Sequence, residues 1–242
     1  MTTTRGSVRV EPGQKRLRVY LAGHVVADTT RPLLVWESSH YPTYYFPAED
    51  VAKDLLEPDD DIAHSPSRGD AQKLTVRAGG REAPGAALRY EESPIEELRG
   101  HIRFDWDAMD SWFEEDEEVF VHARSPYTRI DILPSSRHIR VEVDGVTIAE
   151  STSAQLLFET GLPTRYYFPK THVRMDLLEP IDTVTRCPYK GFAEYWAIRV
   201  GDQVHRDLAW SYRTPLRESE KVAGLVAFYK VDIYVDGVLQ PR

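Results

Sequence analysis

The sequence predicts a mainly β protein built from two tandem copies of one small domain, with few short helices. Three observations predict it. The chain repeats itself internally, each copy opens on alternating apolar and polar residues, and only brief stretches can be read as helical turns.

The repeat comes first because it decides the organisation. With Leu17 placed over Ile139, the two halves stay in register without a gap for roughly sixty residues, and about a third of the paired positions are identical. LRVYLAGHVVADTT lies over IRVEVDGVTIAEST, YYFP at Tyr44–Pro47 over YYFP at Tyr166–Pro169, and DLLEP at Asp54–Pro58 over DLLEP at Asp176–Pro180. The later part of each copy matches less closely, although Tyr90 still meets Tyr212. The expected boundaries are an N-terminal extension at 1–16, a first repeat at 17–104, an acidic and aromatic linker at 105–138, and a second repeat at 139–242.

Within each copy the elements follow in order. The opening stretch alternates, turns at Gly23 or Gly145, and alternates again, which is the pattern of a hairpin with one buried face. Leu34–Glu37 and Leu156–Glu159 read as a third strand, and the aromatic YYFP run as a fourth ended by proline. Short helical turns are expected around Val173–Leu178 and around Ala108–Glu115. Late strands follow at Tyr195–Val200, Gly224–Tyr229 and Val231–Val235. Many short strands with so little helix suggest a sandwich, tent or barrel. The segment 105–138 carries Trp106, Trp112, Phe113, Phe120, Tyr127, Ile130 and Ile132, too many large apolar residues for a flexible tether. It is therefore expected to pack and to fix the two domains against each other, burying an interface.

Composition narrows the function classes. There is no run of about 18 apolar residues, so no spanning helix is expected, and the N-terminus has no apolar core of a signal peptide. The cytoplasm is the expected compartment. The net charge is −9, and residues 105–118 hold eight acids and no base; the remainder is nearly balanced, 30 bases against 31 acids. A chain without a concentrated basic face is not expected to bind nucleic acid. With a single cysteine, Cys187, neither an internal disulfide nor a multi-cysteine zinc site can form. No cofactor is expected. The histidines show no metal-ligand spacing, Asp59-Asp60-Asp61 reads as a turn with solvated charges, and no Walker, GxGxxG or GxSxG motif occurs.

Comparing the copies isolates one asymmetric region. RCPYKGFAEYW (Arg186–Trp196) and AWSY (Ala209–Tyr212) face HSPSRGDAQKL (His64–Leu74) and ALRY (Ala87–Tyr90). Cys187 thus replaces Ser65, Tyr189 replaces Ser67, Trp196 replaces Leu74 and Trp210 replaces Leu88. The second copy is the expected binding copy and the first a degenerate partner. Tyr189, Lys190, Trp196, Trp210, Tyr212 and Arg165 are the expected pocket residues, with Lys190 or Arg165 fixing a polar or anionic group. The bland alternative makes the aromatics core, Lys190 a solvated side chain and Cys187 an inert thiol. Cys187 and Lys190 are the only candidates for chemistry, with His172 or His205 as a base for the thiol.

The phrases VYLAGHVVADTT, YYFP, CPYKGFAEYW, AWSY, LVAFY and VDIYVDG closely resemble the bacterial domain-of-unknown-function family 427, and WFEEDEEVFVHARSPY resembles the linker of its tandem members. The resemblance covers nearly the whole chain from Leu17. It implies a β-tent, Mss4-like fold for each copy. Related tent domains often carry a zinc ion held by two cysteine pairs, which this chain lacks, and some bind small ligands in an aromatic cage. The family is sometimes labelled nucleotidyltransferase-like, yet paired carboxylates and a phosphate-cradling loop are not found here at convincing spacing. Three functions stay open: small-molecule binding in the second repeat, an enzyme using the same pocket, and docking of a basic protein through Asp105–Glu118. The oligomeric state is not legible.

Overall fold

A computed structural model describes residues 8–241, so residues 1–7, which open the expected extension, lie outside the described residues. The chain divides into two compact units, Met1–Ser125 and Pro126–Arg242. Both follow one plan of two antiparallel sheets.

In the first unit the large sheet has seven strands. Their spatial order is β1 (Arg9–Pro12), β4 (Leu33–Trp36), β5 (Thr43–Pro47), β9 (His101–Phe104), β8 (Arg81–Tyr90), β7 (Gly69–Ala78) and β6 (Leu56–Ser65). The small sheet runs β11 (Glu117–Val119), β10 (Ser111–Glu114), β2 (Leu17–Leu21) and β3 (His24–Thr29). The second unit repeats this order. Its large sheet is β12 (Ile130–Pro134), β15 (Gln155–Glu159), β16 (Arg165–Phe168), β20 (Val226–Phe228), β19 (Gln203–Tyr212), β18 (Gly191–Val200) and β17 (Leu178–Cys187). Its small sheet is β14 (Val146–Ser151), β13 (Ile139–Val143), β21 (Asp232–Val235) and β22 (Val238–Leu239).

The opening hairpins form as their pattern requires. Strands β2 and β13 alternate buried and half-buried residues. Ala22-Gly23 and Asp144-Gly145 both take positive φ, 48° and 77° in one and 49° and 76° in the other. Two consecutive left-handed residues make the tight turn whose twist matches the strands it joins. Each main core joins the facing sides of the two sheets: Leu17 and Val19 meet Phe46, Val76 and Phe104, and Ile139 and Val141 meet Phe168, Ile198 and Phe228. The edge-to-face pair Phe46–Phe104 (5.6 Å) recurs as Phe168–Phe228 (5.8 Å).

Because successive strand residues point to opposite faces, the YYFP runs serve two cores. Tyr44 and Phe46 enter the main core while Tyr45 faces out; Tyr166 and Phe168 do the same while Tyr167 faces out. On that outer face a second cluster forms, of Val35, Tyr45, Tyr90 and Leu98 in the first unit and Leu157, Tyr167, Trp210, Tyr212 and Val222 in the second.

Several expectations are corrected. The first unit's large sheet begins at Arg9, where β1 pairs with β4, so residues 9–16 are not an extension outside the repeat. The segment 105–138 is shared between the units rather than forming a separate element. Trp106 and Trp112 stack at 4.5 Å in the first unit's main core, β10 pairs with β2, and Ile130 and Ile132 join the second unit's outer cluster. Half of the stretch Ala108–Glu115, expected as a helical turn, is strand β10. The short helical turn expected near Val173–Leu178, by contrast, forms as a 3-10 turn at Met175–Leu177. Asp59–Asp61 lies in a bulge of strand β6, with Asp59 accepting from Thr75 Oγ1 at 2.6 Å, not in a turn. The ten-residue strands β6 and β17 were missed because each contains a proline and exposes most of its residues. Their place at a sheet edge allows both. Among the described residues no helix is long and apolar enough to cross a membrane.

The acidic run is largely answered inside its own unit. Asp110 pairs with Arg81, Asp116 with Arg18 and Glu117 with Arg124, and the backbone N–H of Arg16 donates to Glu115. Glu114 is buried, where it accepts from the Tyr44 hydroxyl and pairs with Lys15 at 2.5 Å.

Candidate functional site

The outer face of the second unit's large sheet brings together most of the residues that the comparison of copies singled out. The hairpin joining β17 to β18 supplies Cys187, Tyr189 and Lys190. Cys187 pairs with Gly191 across a three-residue loop, and Gly191 takes φ 91°, a conformation costly for any residue with a Cβ. The loop tip is tied down from outside, by the Leu216 N–H donating to the Lys190 carbonyl at 3.1 Å and Ser219 Oγ donating to the Tyr189 carbonyl at 3.3 Å. Strand β19 supplies Trp210 and Tyr212, two residues apart and therefore on one face.

Lys190 is not solvated. Its ammonium donates to Glu159 at the end of β15, and the two side chains are only 11% and 8% exposed. Charges this far from water persist only when paired. Tyr167 stands beside them, its hydroxyl accepting from Trp210 Nε1 at 3.4 Å. The Trp210 indole sits between Tyr167 and Tyr195, with ring centroids 6.3 Å from each. The Tyr195 hydroxyl is within hydrogen-bond distance, 3.1 Å, of Thr185 Oγ1. Burial pushes the Tyr167 and Tyr212 phenols up, and both lie within electrostatic reach of the Cys187 thiol and the Glu159 carboxylate. They are neutral hydroxyls, able to donate. The Tyr212 hydroxyl has no hydrogen-bond partner among the described residues; the residue is 6% exposed, and its hydroxyl is not wholly cut off from solvent.

The first unit holds the same construction in a different state. Glu37 and Arg68 occupy the positions of Glu159 and Lys190 and pair at 3.3 Å. Glu37 also accepts from the Tyr45 hydroxyl at 2.7 Å and lies 3.7 Å from Arg103. Arg68 Nε donates to the Tyr90 hydroxyl at 3.2 Å. The planar fork of arginine thus serves carboxylate and phenol together, which the single ammonium of lysine does not.

Not every expected residue joins the site. Trp196 follows Tyr195 on β18 and so points to the opposite face, where it packs on the main core with the Lys170 ammonium 5.6 Å from its ring. Arg165 is on the site's face, yet its guanidinium lies over the Tyr229 ring at 5.2 Å. Cys187 is half-buried. The two bases considered for it are bonded elsewhere, His172 to Ser151 at 2.8 Å and His205 to Asp144 at 2.7 Å. Among the described residues no three His, Cys, Asp or Glu side chains are placed to hold a metal ion.

A family model described as a domain of unknown function, DUF427, matches the chain twice, over residues 9–115 and 131–238. The chain is a tandem member of that family. Each match opens in an edge strand, β1 or β12, and covers that unit's large sheet and three strands of its small sheet, stopping before β11 in the first unit and at the start of β22 in the second. No curated protein matches the chain.

Sequence reasoning missed Glu159 and Glu37. Both end the third strand of their DUF427 domain and were read only as strand termini. The signal was present, since the same carboxylate recurs in register at the end of an apolar strand in both copies.

Proposed function

We propose that the second DUF427 domain binds a small molecule on the outer face of its large sheet, among Glu159, Lys190, Tyr212, Trp210 and Cys187. The observation that carries this reading is the contrast between the units. In the first, carboxylate, guanidinium and both phenols satisfy one another. In the second, Lys190 bonds one carboxylate oxygen, and the hydroxyl of the largely buried Tyr212 has no protein partner among the described residues. A hydroxyl left unmatched beside a desolvated ion pair is available to a ligand that can bond it. Tyr189 belongs to this reading as part of the loop, and Arg165 as a cation two residues from Tyr167 on β16, on the same face. Trp196 does not.

No observation favours the thiol-dependent or nucleotidyltransferase-like enzyme, because the bases considered for Cys187 are engaged elsewhere. Docking of a basic protein through Asp105–Glu118 is likewise disfavoured, since several of those acids are already paired. A cytoplasmic setting and the tent-type arrangement of the two sheets complete the reading.

Native mass spectrometry of the purified protein tests it. We expect a non-covalent adduct that Tyr212→Phe and Trp210→Ala remove and Tyr90→Phe leaves in place. An adduct that survives Tyr212→Phe would refute the placement.

A further inference from the structure

The unused hydrogen-bonding capacity of the second unit's site specifies the chemistry of what it holds. Lys190 has three N–H donors and spends one on Glu159. The remaining two ask for an acceptor. Glu159 engages Lys190 through one oxygen, and its other oxygen asks for a donor. The Tyr212 hydroxyl can serve either way and is unmatched among the described residues. Lysine and glutamate together carry no net charge, so an anion brought here would leave an uncompensated buried charge, which is strongly unfavourable. Trp210, held between Tyr167 and Tyr195, adds an apolar aromatic wall.

We infer that the ligand, on the binding reading given above, is an uncharged planar group carrying a hydrogen-bond donor next to an acceptor, as in a lactam or the edge of a heterocyclic amide. Its carbonyl accepts from Lys190 Nζ and the Tyr212 hydroxyl, its N–H donates to Glu159, and its ring lies against Trp210. The first unit cannot take such a group at the equivalent place. There Arg68 already spans Glu37 and Tyr90, and Arg103 reaches toward the same carboxylate.

Three probes of similar size separate the possibilities: 2-pyridone, which carries the N–H and carbonyl; 2-methoxypyridine, which lacks the donor; and benzoate, an anion. Binding to the full chain is followed by ligand-observed NMR and by amide shifts of the ¹⁵N-labelled protein. We expect 2-pyridone to bind at least tenfold tighter than either of the others and to shift amides of residues 187–191 and 210–212. Tyr212→Phe should weaken it by roughly two- to tenfold, the value of one hydrogen bond. Lys190→Arg, which installs the first unit's fork, should keep the fold and abolish binding. Benzoate binding best at the same amides, through Lys190 or Arg165, would overturn the ligand class and leave the site standing. Shifts confined to other residues would overturn the site itself. Failure of 2-pyridone to bind, or its retention in a folded Lys190→Arg protein, would overturn the inference.

Discussion

Lys190 and Arg68 hold the same position in two copies of one fold, and the difference between an ammonium and a guanidinium separates the copies. Both pair with a carboxylate at the end of the third strand of their repeat. Only arginine reaches the phenol as well. Removing one member of a buried ion pair leaves the other uncompensated, which costs about 3–5 kcal/mol. Glu159→Gln is therefore expected to lower the second unit's stability by an amount near that range in chemical denaturation. Lys190→Arg should stay within about 1 kcal/mol of the parent, because the first unit shows that the scaffold accepts an arginine fork there. An equal loss from both substitutions would mean that the pair contributes little. At this scale the sequence named Lys190 and Trp210 where the first copy has Arg68 and Leu88, and Tyr212 as the neighbour of Trp210 in AWSY. Glu159 escapes a comparison built on differences, since only its recurrence at the end of an apolar strand in both copies marks it, and Trp196 is grouped with the site because residue identity alone does not say which face a side chain takes.

At the scale of elements, the hairpin from β17 to β18 is what delivers Cys187 and Lys190 to the sheet's outer face. Its turn rests on Gly191 at φ 91°. An added Cβ would meet only ordinary contacts, the nearest being the Leu216 backbone nitrogen at 3.6 Å, so strain rather than space opposes substitution. A residue with a Cβ in the left-handed region costs roughly 1–2 kcal/mol. Gly191→Ala should destabilise the second unit by about that much and weaken whatever the site binds. A fully stable variant would show that the loop re-forms with a different turn. The opening hairpins and the YYFP strands were legible because their alternation and turn residues are local signals. The long edge strands were not. A strand with half its length solvated, a proline and a bulge carries little apolar periodicity, and only its pairing with β7 or β18 defines it.

For the whole molecule, the division at Ser125 and Pro126 makes a clear expectation. Fragments 1–125 and 126–242 should each unfold cooperatively, whereas 1–104 should not fold, since it lacks β10 from the interior of the small sheet and Trp112 from the main core. Circular dichroism with thermal denaturation of the three fragments decides it; a stable 1–104 fragment would mean that the small sheet is dispensable. The sequence alone determined the duplication, the β class, the absence of a cysteine-built metal site and the copy in which side chains had changed. Those properties are written in composition and in register along the chain. Tertiary structure decided where each repeat begins and ends, that the acidic segment closes the first unit's small sheet, that Trp196 and Trp210 lie on opposite faces, and that Lys190 meets Glu159. These depend on pairing between strands far apart in the chain and on which side of a sheet a residue falls, and no local pattern carries that information.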